Sequence, residues 1–321
     1  MKYRHAAAIA ASVALAYPAA ALADWPAQPV RIIVPFSTGG GTDIQARLLA
    51  DAFSRSTGQN FIVDNKPGAS GLVGAQLVES AAADGYTVLF TSATIAINPT
   101  LYGKRWTVHP LEDLEPVSWI TSAPLVLITH PTVPAKTVPE LIALAKKQPN
   151  YLNNAINTPG STSHLAAEML KQKVGIEVTL VPFKGGGPAV RSVVAGETDF
   201  LFATGPSAAP FIRSGRVRAL AVTTPKRSSA FPDVPTMSTF YPGFEADNWY
   251  AMFFRKGTPQ EAVTRLSSEI RKALDSPQVK KFMARESLDP VGSTPDELRA
   301  QVKREIAKYG NVIRVGQIQL R

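Results

Sequence analysis

The stretch Val34-Pro35-Phe36-Ser37-Thr38-Gly39-Gly40-Gly41 has a near copy at Val181-Pro182-Phe183-Lys184-Gly185-Gly186-Gly187. Each copy follows an apolar run that reads as a buried strand and precedes an apolar-periodic helical segment. Glycines between a strand and a helix leave main-chain N–H groups uncovered at the strand end. Helix N-termini also carry unpaired donors and a partial positive charge, so such a turn can cradle an anion. Two copies about half a chain apart point to two similar lobes holding one anionic ligand between them.

Working outward, strand-like runs occur at 30–35, 60–63, 87–90, 125–129, 177–181, 199–203, 217–223 and 249–254. They alternate with helical patterns, which predicts parallel α/β architecture. Capping-box patterns start helices at Thr42-Asp43-Ile44-Gln45, Thr137-Val138-Pro139-Glu140, Thr258-Pro259-Gln260-Glu261 and Thr294-Pro295-Asp296-Glu297. The last two lead into spaced apolar residues (Leu266, Ile270, Leu274; Leu298, Val302, Ile306) and read as scaffold. The expected division is residues 24–124 plus 246–321 in one lobe and 125–245 in the other. Chain crossings are expected within 122–130 and 245–254, a two-strand hinge able to close over a ligand.

Composition narrows the function. Lys2 and Arg4 precede an almost wholly apolar 6–16 run, and Ala21-Leu22-Ala23 fits a signal-peptidase site, so residues 1–23 read as a secretory signal peptide. The run is shorter than the about 20 apolar residues that a membrane span needs. The expected product is an exported, periplasmic protein that is not membrane-embedded. The chain has no cysteine, which excludes disulfides, thiol nucleophiles and thiolate metal sites. Its formal charge of +9 falls to +7 without Lys2 and Arg4, and the basic residues are scattered, so no nucleic-acid partner is expected.

Candidate ligand residues gather in three further places. Asn157-Thr158-Pro159-Gly160-Ser161-Thr162-Ser163-His164 is a polar loop opening a helix; its hydroxyls suit an anion or ordinary capping. Lys184 can bring a positive charge beside the second glycine turn, and Ser92-Ala93-Thr94 follows a strand on the rim of the first. In open α/β sheets, ligands bind outside the carboxyl ends of the strands. Dinucleotide, Walker and nucleophile-elbow motifs are absent, and His109, His130 and His164 have no common metal spacing, so no cofactor, metal or catalytic residue is assigned. An exported hydrolase or isomerase using His164 is the alternative reading.

These motifs resemble the Bug family of periplasmic solute receptors, the tripartite tricarboxylate transporter substrate-binding proteins. The resemblance runs from Trp25-Pro26 and the 29–36 strand through Gly39-Gly40-Gly41-Thr42-Asp43, 63–69, Asp84-Gly85-Tyr86-Thr87, Asn98-Pro99 and Leu101-Tyr102. It continues through 160–165, 181–185, Asp233-Val234-Pro235-Thr236, Trp249-Tyr250 and Gly257-Thr258-Pro259. It implies a type II periplasmic-binding-protein fold, a monomer that closes on a small carboxylate (a dicarboxylate, an amino acid or an aromatic acid). The ligand-binding set it implies is Phe36, Ser37, Thr38, Gly39, Gly40, Gly41, Thr42 and Asp43 as one pincer. The other is Thr158, Gly160, Ser161, Thr162, Ser163 and His164, with Lys184, Gly185 and Gly186 beside it and Ser92, Ala93 and Thr94 on the rim. Delivery to a two-component membrane permease, or in some cases to a sensor kinase, is also implied. Ile156, Thr158 and Phe183 depart from the usual family residues; an apolar Ile156 and Phe183 suit a less polar or aromatic acid, or face the core.

Overall fold

The computed structural model describes residues 25–39, 41–157, 159–183 and 185–319. The signal-peptide reading therefore concerns residues outside the described ones, as do Gly40, Thr158 and Lys184.

From the N-terminal side the elements are β1 (Val30–Val34), α1 (Gly41–Thr57), β2 (Phe61–Asn65), α2 (Leu72–Ser80), β3 (Thr87–Ser92), α3 (Thr94–Tyr102) and β4 (Leu114–Ala123). The middle of the chain forms β5 (Leu125–Thr129), α4 (Val138–Lys147), β6 (Asn153–Ile156), α5 (Thr162–Val174), β7 (Thr179–Pro182), α6 (Gly186–Val194), β8 (Phe200–Thr204), α7 (Gly205–Arg213), β9 (Arg218–Val222) and α8 (Met237–Phe240). The chain ends in β10 (Asn248–Arg255), α9 (Gln260–Asp275), α10 (Pro277–Arg285), β11 (Asp289–Pro290) and α11 (Pro295–Val315).

Two sheets result, in the orders β11-β4-β10-β3-β1-β2 and β7-β6-β8-β5-β9. Ile32, Ile33 and Val34 of β1, and Leu125 to Ile128 of β5, have no exposed surface. Helices therefore cover both faces of each sheet, and central strands such as β3, β5 and β8 carry consecutive buried apolar residues rather than alternating ones. Separate cores lie on the two faces of each sheet.

The expectation of parallel sheets needs correction. β1 is parallel to β2 and β3, and β6 to β7 and β8, but β10 runs antiparallel to β3 and β4, and β5 runs antiparallel to β8 and β9. The antiparallel strands β4, β5 and β10 carry the chain between the sheets. β4 passes into β5 through Pro124, and the return enters β10 after Asp247. Thr223 ties the two crossings together: its N–H donates to Leu125 O at 2.9 Å, and its carbonyl accepts from Ala246 N–H at 3.3 Å.

Two capping expectations also change. Thr137 and Thr294 accept the N–H of Glu140 and Glu297, and at Thr294 the full reciprocal box forms. At Thr258 the hydroxyl instead donates to Arg255 O at 2.9 Å, and α9 starts two residues later. Thr42 lies inside α1 rather than ahead of it.

The first glycine turn rests on α2. A Cβ built on Gly74 would lie 2.7 Å from Pro35 Cβ and 3.0 Å from Pro35 Cα. Contacts that short force the backbone apart. Gly74→Ala is expected to cost about 1–2 kcal/mol and to displace the Pro35 turn, seen as a lower urea midpoint together with weaker ligand binding.

Candidate functional site

Because β1, β2 and β3 are parallel, the segments following their carboxyl ends share one rim. After β1, Ser37, Thr38, Gly39 and Gly41 are exposed, whereas Phe36 is half-buried against the core. Asn65 Nδ2 donates to Phe36 O at 3.1 Å and pins the turn to β2. Gly39 adopts φ +82°, a conformation that costs glycine little.

Asp43 organises this turn from beneath and is 2% exposed. Its Oδ2 accepts the Gly39 N–H at 2.8 Å and Arg47 Nε at 3.1 Å, while Arg47 also reaches Oδ1 at 3.0 Å. Burial alone would raise the Asp43 pKa, but hydrogen bonds from Arg47 and Gly39, with the Arg47 charge, hold it below the usual carboxylate value. Asp43 is thus spent on the turn, and Arg47 offsets a charge that would repel an incoming anion. Gln45, 1% exposed, likewise works inside the fold: Nε2 donates to Gly41 O at 3.2 Å and Oε1 accepts Thr121 Oγ1 at 2.9 Å. On the same rim, Ser92 and Thr94 hydroxyls pair at 3.0 Å, while Ala93 is fully buried and presents no surface.

In the second sheet β6 takes the place that β1 has in the first, flanked by parallel β7 and β8. The repeated phrase follows the edge strand β7, so its two copies are not structural equivalents. The counterpart of the first turn is the Asn157–His164 loop. There Gly160 turns at φ +80° and donates its N–H to His164 Nδ1 at 2.9 Å. Ser161 caps α5 by accepting the His164 N–H. The second glycine turn supports this loop, because Gly185 N–H donates to Asn157 O at 2.8 Å. Among the described residues, Ser163 Oγ and Asn157 Oδ1 are buried without a partner.

His164 is 8% exposed, with Nε2 3.8 Å from Glu168 Oε1. Burial lowers its pKa, against the opposing pull of Glu168. An Nδ1 that accepts a backbone N–H belongs to a neutral ring carrying its proton on Nε2. The imidazole is a loop strut rather than a general base. Ile156 is 3% exposed within the core, and Phe183 is half-buried against another, so Ile156 gives no argument about ligand polarity.

Sequence reasoning missed two participants. A cavity of about 420 Å³ opens between the lobes, with Gly41, Ile44 and Gln45 on one side, Thr204 and Ser207 on the other, and Ala123 and Tyr250 at the hinge. The β8–α7 turn carried a readable signal: Thr204-Gly205-Pro206-Ser207 is another small-residue strand-to-helix junction, with proline in the first turn. Tyr250 carried none, because its position beside Gly41 arises only from the antiparallel pairing of β10. Its hydroxyl oxygen lies 3.4 Å from the point a Gly41 Cβ would occupy. It accepts from Asn248 Nδ2 at 3.1 Å, and burial pushes its pKa up to about 12, so it keeps a proton to donate.

Two α/β lobes joined by crossing strands, with parallel strand ends on each side of a cleft, define a two-lobed solute receptor of the type II periplasmic-binding class. The family model for the tripartite tricarboxylate transporter family receptor (TctC) matches residues 45–318. The chain is 37% identical over 297 residues to protein BugT of Bordetella pertussis, with 90% of each covered. It is similar to the solved structure of R. palustris Rpa4515 with adipate (TM-score 0.77, 33% identity, 92% of this chain and 99% of that one). It is also similar to MatC of Rhodopseudomonas palustris with bound malate (TM-score 0.73, 29% identity, 90% and 100% covered). The chain belongs to the tripartite tricarboxylate transporter receptor family, whose members are solute-binding receptors and not enzymes. Among the described residues, no helix is long and apolar enough to cross a membrane, and no cluster of three metal-ligating side chains occurs.

Proposed function

We propose that this protein captures a small organic carboxylate between its lobes in the periplasm and delivers it to a tripartite tricarboxylate-type permease. On this reading residues 1–23 are the export signal, and residues 125–245 close as one body against the rest. The observation that carries the proposal is the pairing of two helix starts, at α1 and α5, each set behind a glycine turn and each at the carboxyl rim of a parallel three-strand unit. Helix N-termini favour negative charge, and each charge-assisted hydrogen bond contributes about 1.5–3 kcal/mol. The donors proposed to meet the carboxylate are the main-chain N–H groups of Ser37, Thr38 and Gly41 and of 161–163, the hydroxyls of Ser37, Thr38 and Ser163, and the Tyr250 phenol, with water bridging where spacing demands it. The Gly39 and Gly160 N–H groups are held inside their own turns by Asp43 and His164. The relatives holding adipate and malate support the ligand class.

A thermal-shift series tests this with mono- and dicarboxylates, amino acids and aromatic acids. A ligand at about a hundred times its Kd should add about 2.7 kcal/mol. Failure of every carboxylate to raise Tm would sink the proposal.

A further inference from the structure

We infer that the preferred ligand is a monocarboxylate with a compact uncharged apolar body, held in the lateral cavity beside α1. This rests on the carboxylate-binding reading above. The cavity begins at Gly41, where the proposed carboxylate seat lies, and runs sideways to α10 and the hinge. Its volume of about 420 Å³ is that of a small-molecule pocket rather than of a single water.

The walls set the chemistry. Ile44, Ala123, Pro206, Tyr250, Phe282 and Leu288 present apolar surface from both lobes and the hinge. Ile44 is 43% exposed, an unusual placement for isoleucine on the first turn of a helix whose buried side is already filled. A ligand body against it would remove that surface from water.

The polar lining is poor in donors for a second charge. Gln45 is held inside the fold, Nε2 donating one hydrogen to Gly41 O and Oε1 accepting from Thr121, and as a neutral amide it offers no counter-charge. Thr204 and Ser207 hydroxyls bond one another at 2.8 Å, and Ser207 also reaches Thr204 O at 2.9 Å. Among the described residues, no lysine or arginine lines the cavity, and its single charged group is the Glu286 carboxylate. Arg285 pairs with Glu286 at 2.8 Å, but that arginine is 71% exposed and outside the lining, so the pair is solvent-screened and weak. A second carboxylate entering here would lose water, meet a like charge and find no cation. An aliphatic chain or one ring meets none of those costs.

Calorimetric titration with hexanoate, benzoate, adipate and malate separates the outcomes. Hexanoate or benzoate is expected to bind at least about tenfold more tightly than malate, the difference that burying two methylene groups provides. Ile44→Ser should lower the hexanoate-to-malate affinity ratio several-fold. Glu286→Gln should raise adipate affinity relative to hexanoate. Ile44 and Glu286 lie at the surface, so neither change threatens folding. Tighter binding of malate or adipate than of either monocarboxylate, or a ratio unmoved by Ile44→Ser, overturns the inference while leaving carboxylate binding intact. Silence from all four acids speaks against the carboxylate reading itself.

Discussion

Asp43→Ala is expected to weaken carboxylate binding by at least about a hundredfold and to lower folding stability by about 2–3 kcal/mol. The carboxylate never needs to touch the ligand for this to hold. It accepts the Gly39 N–H and two Arg47 contacts from a position with 2% exposure. Removing it frees the turn that presents Ser37, Thr38 and Gly41 and leaves Arg47 without its counter-charge, still donating to the neutral Asn65 Oδ1 at 3.0 Å. Loss of preorganisation is then added to loss of hydrogen bonds. Asp43→Asn is the sharper control, because it keeps the shape and one acceptor while removing charge; it should fall between wild type and alanine. The carboxyl titrates below its ordinary value in the fold, so its contribution is present above the unfolded pKa and is lost as pH falls through the folded one. Urea midpoints for wild type and Asp43→Ala should therefore converge in acid. Equal ligand affinity in wild type and Asp43→Ala would show that the turn is not the seat.

Much of this was legible in the sequence, for identifiable reasons. β3, β5 and β8 are buried on both faces, so each stands out as a Val/Ile/Leu/Phe run bounded by polar or turn residues, and β1 does so despite its exposed Arg31. β6 (Asn-Asn-Ala-Ile) escaped because only its last two positions are apolar, and its orphaned Asn154 amide gives no strand signal. β4 escaped for a different reason. Its ten residues mix Glu115, Pro116, Ser118, Thr121 and Ser122 with core positions, and hydroxyls are tolerated there because neighbours satisfy them: Ser118 donates to Ser293 O at 2.8 Å and Thr121 to Gln45. The strand directions were not legible, since apolar runs look alike whichever way they point, and only the two chain crossings make β4, β5 and β10 antiparallel.

The site divides along the same line. Turn chemistry is local, so Gly39, Gly160 and the α5 cap were readable from residue order. Burial is what residue type does not reveal: Ala93, expected on the rim, is sealed in the core, and Ile156, for which both a ligand-facing and a core-facing reading were open, faces inward. Tyr250, Phe282 and Leu288 come to the cleft from distant segments by tertiary packing alone. The first rim and the second are also coupled through the body of the protein. Leu165 and Met169 of α5 pack into the first lobe's core, and Gln172 Nε2 donates to Val312 O of α11 at 3.1 Å. Any closure has to carry or shear that contact, so the hinge is not a free joint.

At the hinge, Asp247→Asn is expected to stabilise the protein near neutral pH, on the order of 2 kcal/mol. Asp247 is fully buried where the chain enters β10; Ser122 Oγ donates to its Oδ2, and its Oδ1 has no partner among the described residues. Burial is the dominant influence and raises its pKa, reinforced by Glu245, with Ser122 and Lys308 pulling the other way. Lys308 is already engaged, 2.5 Å from Glu305 Oε1 and 3.0 Å from Glu245 O, so it cannot serve as a dedicated counter-ion. Glu305, which also accepts Trp249 Nε1 at 3.2 Å, is raised by the same burial. With the folded pKa above the unfolded one, both states hold the proton in acid. As pH climbs past the ordinary aspartate value of about 4 the unfolded chain releases its proton first, and stability falls until the folded carboxyl ionises too. An asparagine keeps an acceptor for Ser122 and carries no such penalty. Urea unfolding from about pH 4 to pH 8 should show Asp247→Asn gaining on wild type as pH rises, with Glu305 leaving a residual slope in both. Parallel curves, or a variant that loses ground toward alkaline pH, would mean that Asp247 is ionised in the folded hinge and that its charge is paired by Lys308 after all.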